Sequence, residues 1–492
     1  MAAIKGTEYV GDGLQKWLDE CADMDAARCG RYTLYEEYYD GEHGPKLRDR
    51  AKDYLELNGI RFCENFCEPI VDSLAERLNV IGFQSSLAAT VEVDGKEETV
   101  DPVAAKVEEW WQQARMDDTQ AVVHTQALMK GDDFVIVEWD RVEGRPQIVR
   151  QRTDQIRVFY SDENPNVVDL ISKLWSTDTT SSLNPNGRRV QRLNLYFPDR
   201  VEKWYRPHSG SGDAGKGGWE RWQDDGDPGW PVWWTDTGAE GGKPFGIAGF
   251  HFRNKPLGSG LGRSRVKPAI PFQTELNKYL ADLNDLVDNH GLPQDYATGV
   301  TATEADGLQR VPGDMITATS SEAKFGRLEA TATSNIIDAI EGVLSRLARR
   351  SRIPMHVLTG GTPPSGEALK TSESGLVSTA KACQVVFGNA WEDAMCLAIR
   401  LGLAFGDDDT KTALAGATDG VTLDTQWDNP ATRSDADDLQ AAEAKHRLGV
   451  SKHTLLGELG YDPEKELEQR SAEQAASAEA QGALFDRGGL PV

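Results

Sequence analysis

The sequence predicts an α+β fold, and three observations predict it. Phe272, Leu276, Tyr279, Leu280, Leu283, Leu286 and Val287 recur at spacings of three and four, as do Ile336, Ile337, Ile340, Val343, Leu344 and Leu347. Each set forms one apolar stripe along a helix. Upstream, Phe134 to Trp139 is a β-branched and aromatic run bounded by Gly131-Asp132-Asp133, the pattern of a strand. With 492 residues, 39% of them hydrophobic, the chain can bury several cores or build one elongated, multi-part subunit.

From the N-terminus, Tyr9 to Leu57 reads as helical and mixed in charge. Its cluster Tyr32, Tyr35, Tyr38 and Tyr39 has no interleaved basic residues, so it is expected in a core or interface rather than stacked on bases. Phe62, Phe66, Ile70, Leu74 and Leu78 continue in helical steps, with Pro69 marking a kink or the true start. Val80 to Val93 alternates like strands. Asp101 to Met129 returns to helix on Val107, Trp110, Trp111, Val122, Val123 and Leu128. After Phe134 to Trp139, further strands are expected at Ile156 to Tyr160, Val168 to Trp175, Val190 to Phe197 and Val201 to Tyr205. Their short spacing implies a mainly antiparallel sheet with helices against it.

Between Pro207 and Gly242, Gly, Ser and Asp alternate with Trp219, Trp222, Trp230, Trp233 and Trp234. A flexible linker does not carry so much apolar area. Two readings stay open: tryptophans packed at a contact with another subunit or protein, and a surface hairpin packed only on itself. In Asn254 to Arg265, Gly258, Gly260 and Gly262 precede a helix, where glycines can cradle a phosphate. They alternate, however, and no Gly-Lys-Ser/Thr follows, so the stretch reads as a bend into the next helix. Arg263, Arg265 and Lys267 place positive charge where the helix dipole is already positive. That suits contact with DNA or an acidic neighbouring subunit.

The first striped helix is opened by Pro268 and Pro271 and closed at Asn289-His290-Gly291. Gly291 to Thr333 has no long apolar helix, and Tyr296 to Thr301 and Met315 to Thr319 read as short strands around a turn at Pro312-Gly313-Asp314. So small a piece has little core of its own and is expected to fold against adjacent copies. The second striped helix runs from Ser334, its expected N-cap, to Ile353, and stops at Pro354. Asp338 and Glu341 lie early in it and Arg346, Arg349, Arg350 and Arg352 late, an order that suits the dipole. The same arginines would form a basic ring if the helix lined a channel. Thr359-Gly360-Gly361-Thr362-Pro363-Pro364-Ser365-Gly366-Glu367-Ala368-Leu369-Lys370 then forces a constrained loop before Ser365 caps a long helix on Leu369, Leu376, Cys383, Phe387, Ala390, Ala394 and Ala398. Gly375 and Gly388 are expected as weak or bent points.

Val421 to Trp427 reads as a strand closing the sheet, ended by Asp428-Asn429-Pro430. Ser434 to Leu448 and Ser451 to Leu459 read as two helices joined at Gly449, with a frayed end from Gly482 to Val492. Asp435, Asp437 and Asp438 lack calcium-loop spacing.

Lys and Arg number 53 against 79 Asp and Glu, a formal net charge of −26. This opposes a whole-surface clamp on nucleic acid and is compatible with a conduit whose acidic walls let DNA slide. Simple solubility explains it equally. A ring of such chains must pair charges or bind cations, a cost that added salt relieves. Of the six cysteines, Cys63 and Cys67 have helical spacing, but no second Cys or His pair completes a metal site, so reduced thiols are expected. The stretch Met1 to Lys5 lacks a signal peptide's apolar core, and no run of apolar residues is long enough to span a bilayer. No nucleophile elbow or zincin motif is present and the eight His are scattered, so no catalytic residue, metal or cofactor is assigned.

The order of helix, small β-rich insert, helix, Pro/Gly loop and long helix, with the Pro364-Ser365-Gly366-Glu367-Ala368-Leu369-Lys370 text, resembles the portal proteins of tailed bacteriophages, in the branch common among long-tailed phages. The resemblance runs from about Asp53 onward and is clearest from Leu257 to Gly460. It implies an elongated portal subunit. Residues 1–262 would be a mixed α/β wing, 263–290 and 334–353 a two-helix stem, 291–333 a clip, and 354–366 a tunnel loop. Residues 367–430 would be the long helix and wing-closing strand, and 431–492 a helical crown and tail. It further implies a non-enzymatic ring of about twelve copies at one capsid vertex, assembled in the host cytoplasm. Double-stranded DNA would pass through it during packaging and ejection. Its partners would be the terminase large subunit, the major capsid protein and a head-completion adaptor, with no membrane. By the same resemblance Thr359 to Gly366 would face DNA, Arg346, Arg349, Arg350 and Lys370 would line the channel, and Pro312, Gly313 and Asp314 would dock motor or adaptor. Another oligomeric capsid component, such as a minor head protein, and a packaging nuclease or ATPase are the alternatives.

Overall fold

The computed structural model describes residues 12–44, 64–93, 96–164, 166–178, 189–207, 218–223, 229–256, 260–290, 294–299, 322–328, 333–362, 364–418, 420–431, 435–447, 449–450, 455–456 and 466. The fold is mixed α+β. Two compact units divide the chain, 1–430 and 431–492.

The first helical stretch is two helices, α1 (Asp12–Ala22) and α2 (Ala26–Tyr39). Asp25 breaks them with φ 54°, and its carboxylate caps α2 by accepting from the Arg28 amide. Tyr32, Tyr35 and Tyr38 are buried, in keeping with the core reading. Helix α3 (Cys67–Ala75) begins just before Pro69, whose missing N–H is tolerated in a first turn. Phe62 and Cys63 lie outside the described residues. Strands β1 (Val80–Ser85), β2 (Ala89–Val93) and β3 (Lys96–Val100) follow, the last two paired as a hairpin. The stretch expected as one helix from Asp101 is also split, into α4 (Pro102–Gln113) and α5 (Met116–Lys130), because Arg115 turns left-handed at φ 54°. Asp101 caps α4 through the Ala104 amide and also holds the Ser85 amide and hydroxyl.

Among the described residues nine strands come next: β4 (Asp132–Asp140), β5 (Arg145–Gln151), β6 (Ile156–Tyr160), β7 (Val168–Asp178), β8 (Arg189–Tyr196), β9 (Arg200–Pro207), β10 (Glu220–Arg221), β11 (Val232–Trp233) and β12 (Gly249–Arg253). The order β10-β9-β8-β7-β6, with β11 also on β9, makes one sheet and β12-β4-β5 another, all antiparallel. β5 and β12 escape the sequence reading because Arg145-Pro146-Gln147-Ile148-Val149-Arg150-Gln151 is half polar and Gly249-Phe250-His251-Phe252-Arg253 is short. The expected turn at Gly131-Asp132-Asp133 is confined to Gly131, at φ 101°; both aspartates are fully buried strand residues.

Two cores result. The larger gathers β4, β12, α4 and the long helix α9 (Gly366–Phe405) around Trp391, whose ring lies 4.9 Å from that of Trp111 and 4.5 Å from that of Phe252. The smaller packs Trp17 and Leu18 of α1 on Leu170, Leu193, Leu195, Phe197 and Trp204 of the larger sheet. Trp219 belongs to this second core and Trp234 to the first, while Trp230 meets Trp204 edge-on at 5.0 Å. The tryptophan-rich segment therefore packs on its own chain's sheet and α1, and not only on itself.

Helix α6 (Ile270–His290) and helix α7 (Ser334–Ser351) pack together. On α6, buried Gln273 and Asn277 clamp the segment before α3: Gln273 accepts from the Phe66 amide and Asn277 from the Glu64 amide. The N-cap of α7 is Thr333 rather than Ser334, and it makes no side-chain capping bond. Between the helices, β13 (Gln294–Thr298) pairs with β14 (Lys324–Leu328). The expected first strand is thus two residues early, and its partner among the described residues is β14. Met315 to Thr319 and the turn Pro312-Gly313-Asp314 lie outside the described residues. After the short α8 (Met355–Thr359), α9 runs 40 residues without a break at either glycine. Gly388 instead admits the Trp427 ring edge, a close approach that a side chain would block. α10 (Asp408–Ala413) is capped by Asp407. β15 (Leu423–Trp427) pairs with β1, Ser85 opposite Leu423 and Val80 opposite Trp427, and among the described residues the two form a sheet of their own rather than closing a larger one. In the second unit, α11 (Asp435–Arg447) precedes Gly449 at φ 96°. Among the described residues no helix is long and apolar enough to cross a membrane.

Candidate functional site

The Pro/Gly loop starts where α7 ends. Arg352 takes φ 59° and Pro354 follows it, so the chain leaves the helix axis at once. Part of the expected loop is helical, since α8 ends at Thr359, whose hydroxyl donates to the Met355 carbonyl at 2.9 Å. Gly360 at φ 64° terminates it in the conformation glycine adopts without strain. Gly361, Thr362, Pro364 and Ser365 are exposed; Pro363 lies outside the described residues. Ser365 occupies the N-cap of α9 but makes no capping bond, leaving the first amides of Gly366 onward to other acceptors.

The base of this loop is anchored. Glu373, one turn into α9 beyond Leu369 and 6% exposed, sits 3.4 Å from Arg77 Nη2 and 3.9 Å from His356 Nε2. Arg77 also donates to the Pro430 carbonyl at 2.6 Å. One buried carboxylate thus ties α8, α9 and the end of α3 beneath an exposed, uncharged tip. Neither His356, Glu373 nor Arg77 stands out in the sequence, since they are far apart in it and each sits in ordinary helical text.

The four basic residues read from the sequence do not form one cluster. Arg346 is exposed and reaches Glu275 of α6 at 3.7 Å, a long ion pair that links the two helices weakly. Arg349 turns back to the Ser345 carbonyl and borders a shallow groove with Ser372, Ser374 and Ser378. Arg350 faces a separate cleft of about 790 Å³ shared with Lys255, Arg263, Arg265, Lys267 and Arg352. Lys370 is exposed on the first turns of α9.

A single aspartate builds one wall of that cleft. Asp132 accepts from the Tyr32 hydroxyl at 2.7 Å and the Gly262 amide at 2.6 Å, and it lies 2.8 Å from His251 Nε2. Burial alone would raise its pKa, but the bonds from His251, Gly262 and Tyr32 hold it below the usual carboxylate value. Of the glycine-rich bend read from the sequence, Gly258 lies outside the described residues; Gly262 lies against the Gly131 carbonyl, and Asn254 bonds both Gly131 and Arg263.

This arrangement offers an exposed, anchored loop, a packed helix pair beneath it and a basic cleft beside that pair. A family model described as "Phage portal protein, SPP1 Gp6-like" matches residues 18–480. The chain is similar to the portal protein of Mycobacterium phage D29, 22% identical over 500 residues covering 95% of this chain and 92% of that one. It is similar also to the portal protein of Mycobacterium phage L5, 22% identical over 471 residues covering 91% and 86%.

Proposed function

This chain belongs to the SPP1 Gp6-like phage portal proteins, a capsid component of long-tailed phages, and from that premise we propose that about twelve copies close into a ring at one capsid vertex. Double-stranded DNA passes through the ring during packaging and ejection. The observation that carries the reading is the family match across residues 18–480. In this proposal residues 1–262 form the wing, α6 and α7 the stem, 291–333 the clip, 354–366 the tunnel loop, and 431–492 the crown and tail.

The physical features of the single chain support it. Leu283 and Leu286 of α6 are half-buried, and Val287 of α6 and Ile337 of α7 are exposed, so the far end of the helix pair keeps apolar surface for a neighbour. The tip from Gly360 to Ser365 has no ionisable side chain, so contact with DNA there is steric or through backbone. Arg346, Arg349 and Lys370, all exposed, line the channel, while Arg350 turns aside to the cleft. The clip, around Pro312, Gly313 and Asp314, docks the terminase large subunit and later the head-completion adaptor; the wing meets the major capsid protein. Energy for translocation comes from the terminase, and no catalytic role is assigned to this chain.

Native mass spectrometry with negative-stain imaging of the purified full chain tests the proposal. A closed ring of about twelve subunits with a central hole is the expected result, and a compact monomer or dimer across salt conditions overturns it.

A further inference from the structure

The cleft between residues 254–255, residues 261–268 and the end of α7 is charged out of keeping with the rest of the chain. Against a formal net charge of −26, its lining gathers Lys255, Arg263, Arg265, Lys267, Arg350 and Arg352. Asp132 is its one carboxylate among the described residues, and that group is already engaged by Tyr32, His251 and the Gly262 amide. Of three further cations in the lining, Arg28 donates to the Ile156 carbonyl at 2.7 Å, Lys130 pairs with Glu36 at 2.5 Å, and Arg31 is exposed. Among the described residues none of the six has a carboxylate within ion-pair distance.

Arg265 is the most deeply buried of the six. It is 7% exposed, its Nη2 donates to the Ser351 carbonyl at 2.8 Å, and its Nε finds no acceptor. An unsatisfied buried guanidinium N–H is costly unless a ligand completes it. Burial first, and then Arg265, Arg352 and Arg350, push the Lys255 pKa down, so the cations repel one another. Lys255 and Arg352, with left-handed backbones at φ 48° and 59°, both line the hollow.

We propose that this cleft receives carboxylate side chains from a second copy of this chain. The proposal rests on the ring reading above and names where its subunits exchange charge. A neighbour with 79 acidic against 53 basic residues is a ready source of carboxylates. Guanidinium forks match carboxylates in two parallel hydrogen bonds, and four of the six cations are arginines. The hollow is concave and takes inserted side chains better than the broad face of a duplex. It also adjoins α6 and α7, whose outer apolar residues are uncovered in one chain. A ring interface is heterologous, so a basic cleft on one face can meet acids on the other face of every neighbour. Salt is a poor probe, because it weakens these pairs while relieving the repulsion between whole subunits.

Zero-length carbodiimide coupling of assembled full-length protein, mixed from light and heavy isotope preparations, tests this directly. The reagent joins a lysine amine to a carboxylate in contact with it, forming an amide as its own carbodiimide becomes a urea. Interchain amides from Lys255 or Lys267 to Asp or Glu are expected. Rings that link at other lysines but not at these two overturn the proposal. So does protection of these two lysines by a short DNA duplex with no interchain link, which would assign the cleft to phosphate. If no ring forms, the ring reading fails by itself, and coupling in any dimer of the sample still decides the cleft by the same two lysines. Arg263→Glu combined with Arg350→Glu, both exposed positions, should raise the concentration needed for assembly about tenfold or more with the monomer's melting temperature unchanged. Wild-type assembly by that variant overturns the proposal.

Discussion

Trp391 Nε1 donates to His124 Nε2 across 3.0 Å in the centre of the larger core. His124 is fully buried, stacks on Phe387 and donates from Nδ1 to the Leu78 carbonyl at 2.9 Å. Both ring nitrogens are therefore committed to the neutral tautomer, because a second proton on Nε2 would face the indole N–H. The bond joins α9 to α5 and, through Leu78, to the turn before β1.

An acid-sensitive fold follows. Burial pushes the His124 pKa down to about 4. The folded state then binds fewer protons than the unfolded chain, whose histidine titrates near 6.5. Stability is full above that value and falls as pH drops from about 6.5 to about 4, by about 3 kcal/mol. His124→Gln keeps an acceptor for Trp391 but cannot titrate. Denaturant melts between pH 7.5 and 4.5 should show a shallower loss for the variant; equal slopes would place the acid sensitivity elsewhere.

Gly262→Ala should be among the most damaging small substitutions in the chain. A Cβ at this position runs into the Gly131 carbonyl and crowds the Asn254 amide, both backbone groups that cannot swing away. The Gly262 amide also supplies one of Asp132's bonds. A loss above about 3 kcal/mol is expected, read by chemical denaturation. Gly144→Ala, with a left-handed φ of 65° but open space around it, is the control and should cost about 1 kcal/mol.

Trp219 joins two segments 200 residues apart. Its indole donates to Asp19 at 3.0 Å and its backbone amide to Gln15 at 2.7 Å, while its ring fills the second core. Trp219→Ala should cost about 3–5 kcal/mol in that core. Because α1 is held there by the same side chain, limited proteolysis should cut near α1 first. Unchanged proteolysis would mean that Trp17 and Leu18 hold α1 without it.

The anchor beneath the Pro/Gly loop predicts an asymmetry between its two halves. Arg77→Ala leaves the Glu373 carboxylate buried with only His356 at 3.9 Å, and should cost about 3 kcal/mol. Glu373→Gln removes the charge and should cost less. The double variant should recover part of the Arg77→Ala loss, and hydrogen exchange in α8 should rise most in Arg77→Ala. Additive losses would show that the pair is not coupled.

Periodicity made the helices legible. The stripe from Leu376 to Ala398 predicts α9, and Val343, Leu344 and Leu347 predict the buried face of α7. The residues that divide helices were not legible. Asp25 and Arg115 adopt left-handed backbones, at φ 54°, that the helical periodicity on either side does not reveal. Gly375 and Gly388 erred in the other direction, because tertiary contacts keep α9 continuous where propensity alone favours a bend. The candidate loop was visible as a run of Gly and Pro. Its anchor was not, since Arg77, His356 and Glu373 meet only in space.

By itself, then, the sequence determined the α+β class, the order of its longer helices and most of its longer strands and, through one run of text after the second striped helix, the family. These are local signals, carried by side-chain spacing and by the backbone limits of Gly and Pro. Tertiary structure alone decided that Asp132 is a buried hub rather than a turn residue, that the tryptophans fill two cores, and that Arg350 joins Lys255 and Arg265 in one cleft. Such features depend on groups distant in sequence sharing a low-dielectric space, where burial and unpaired charge set their energies.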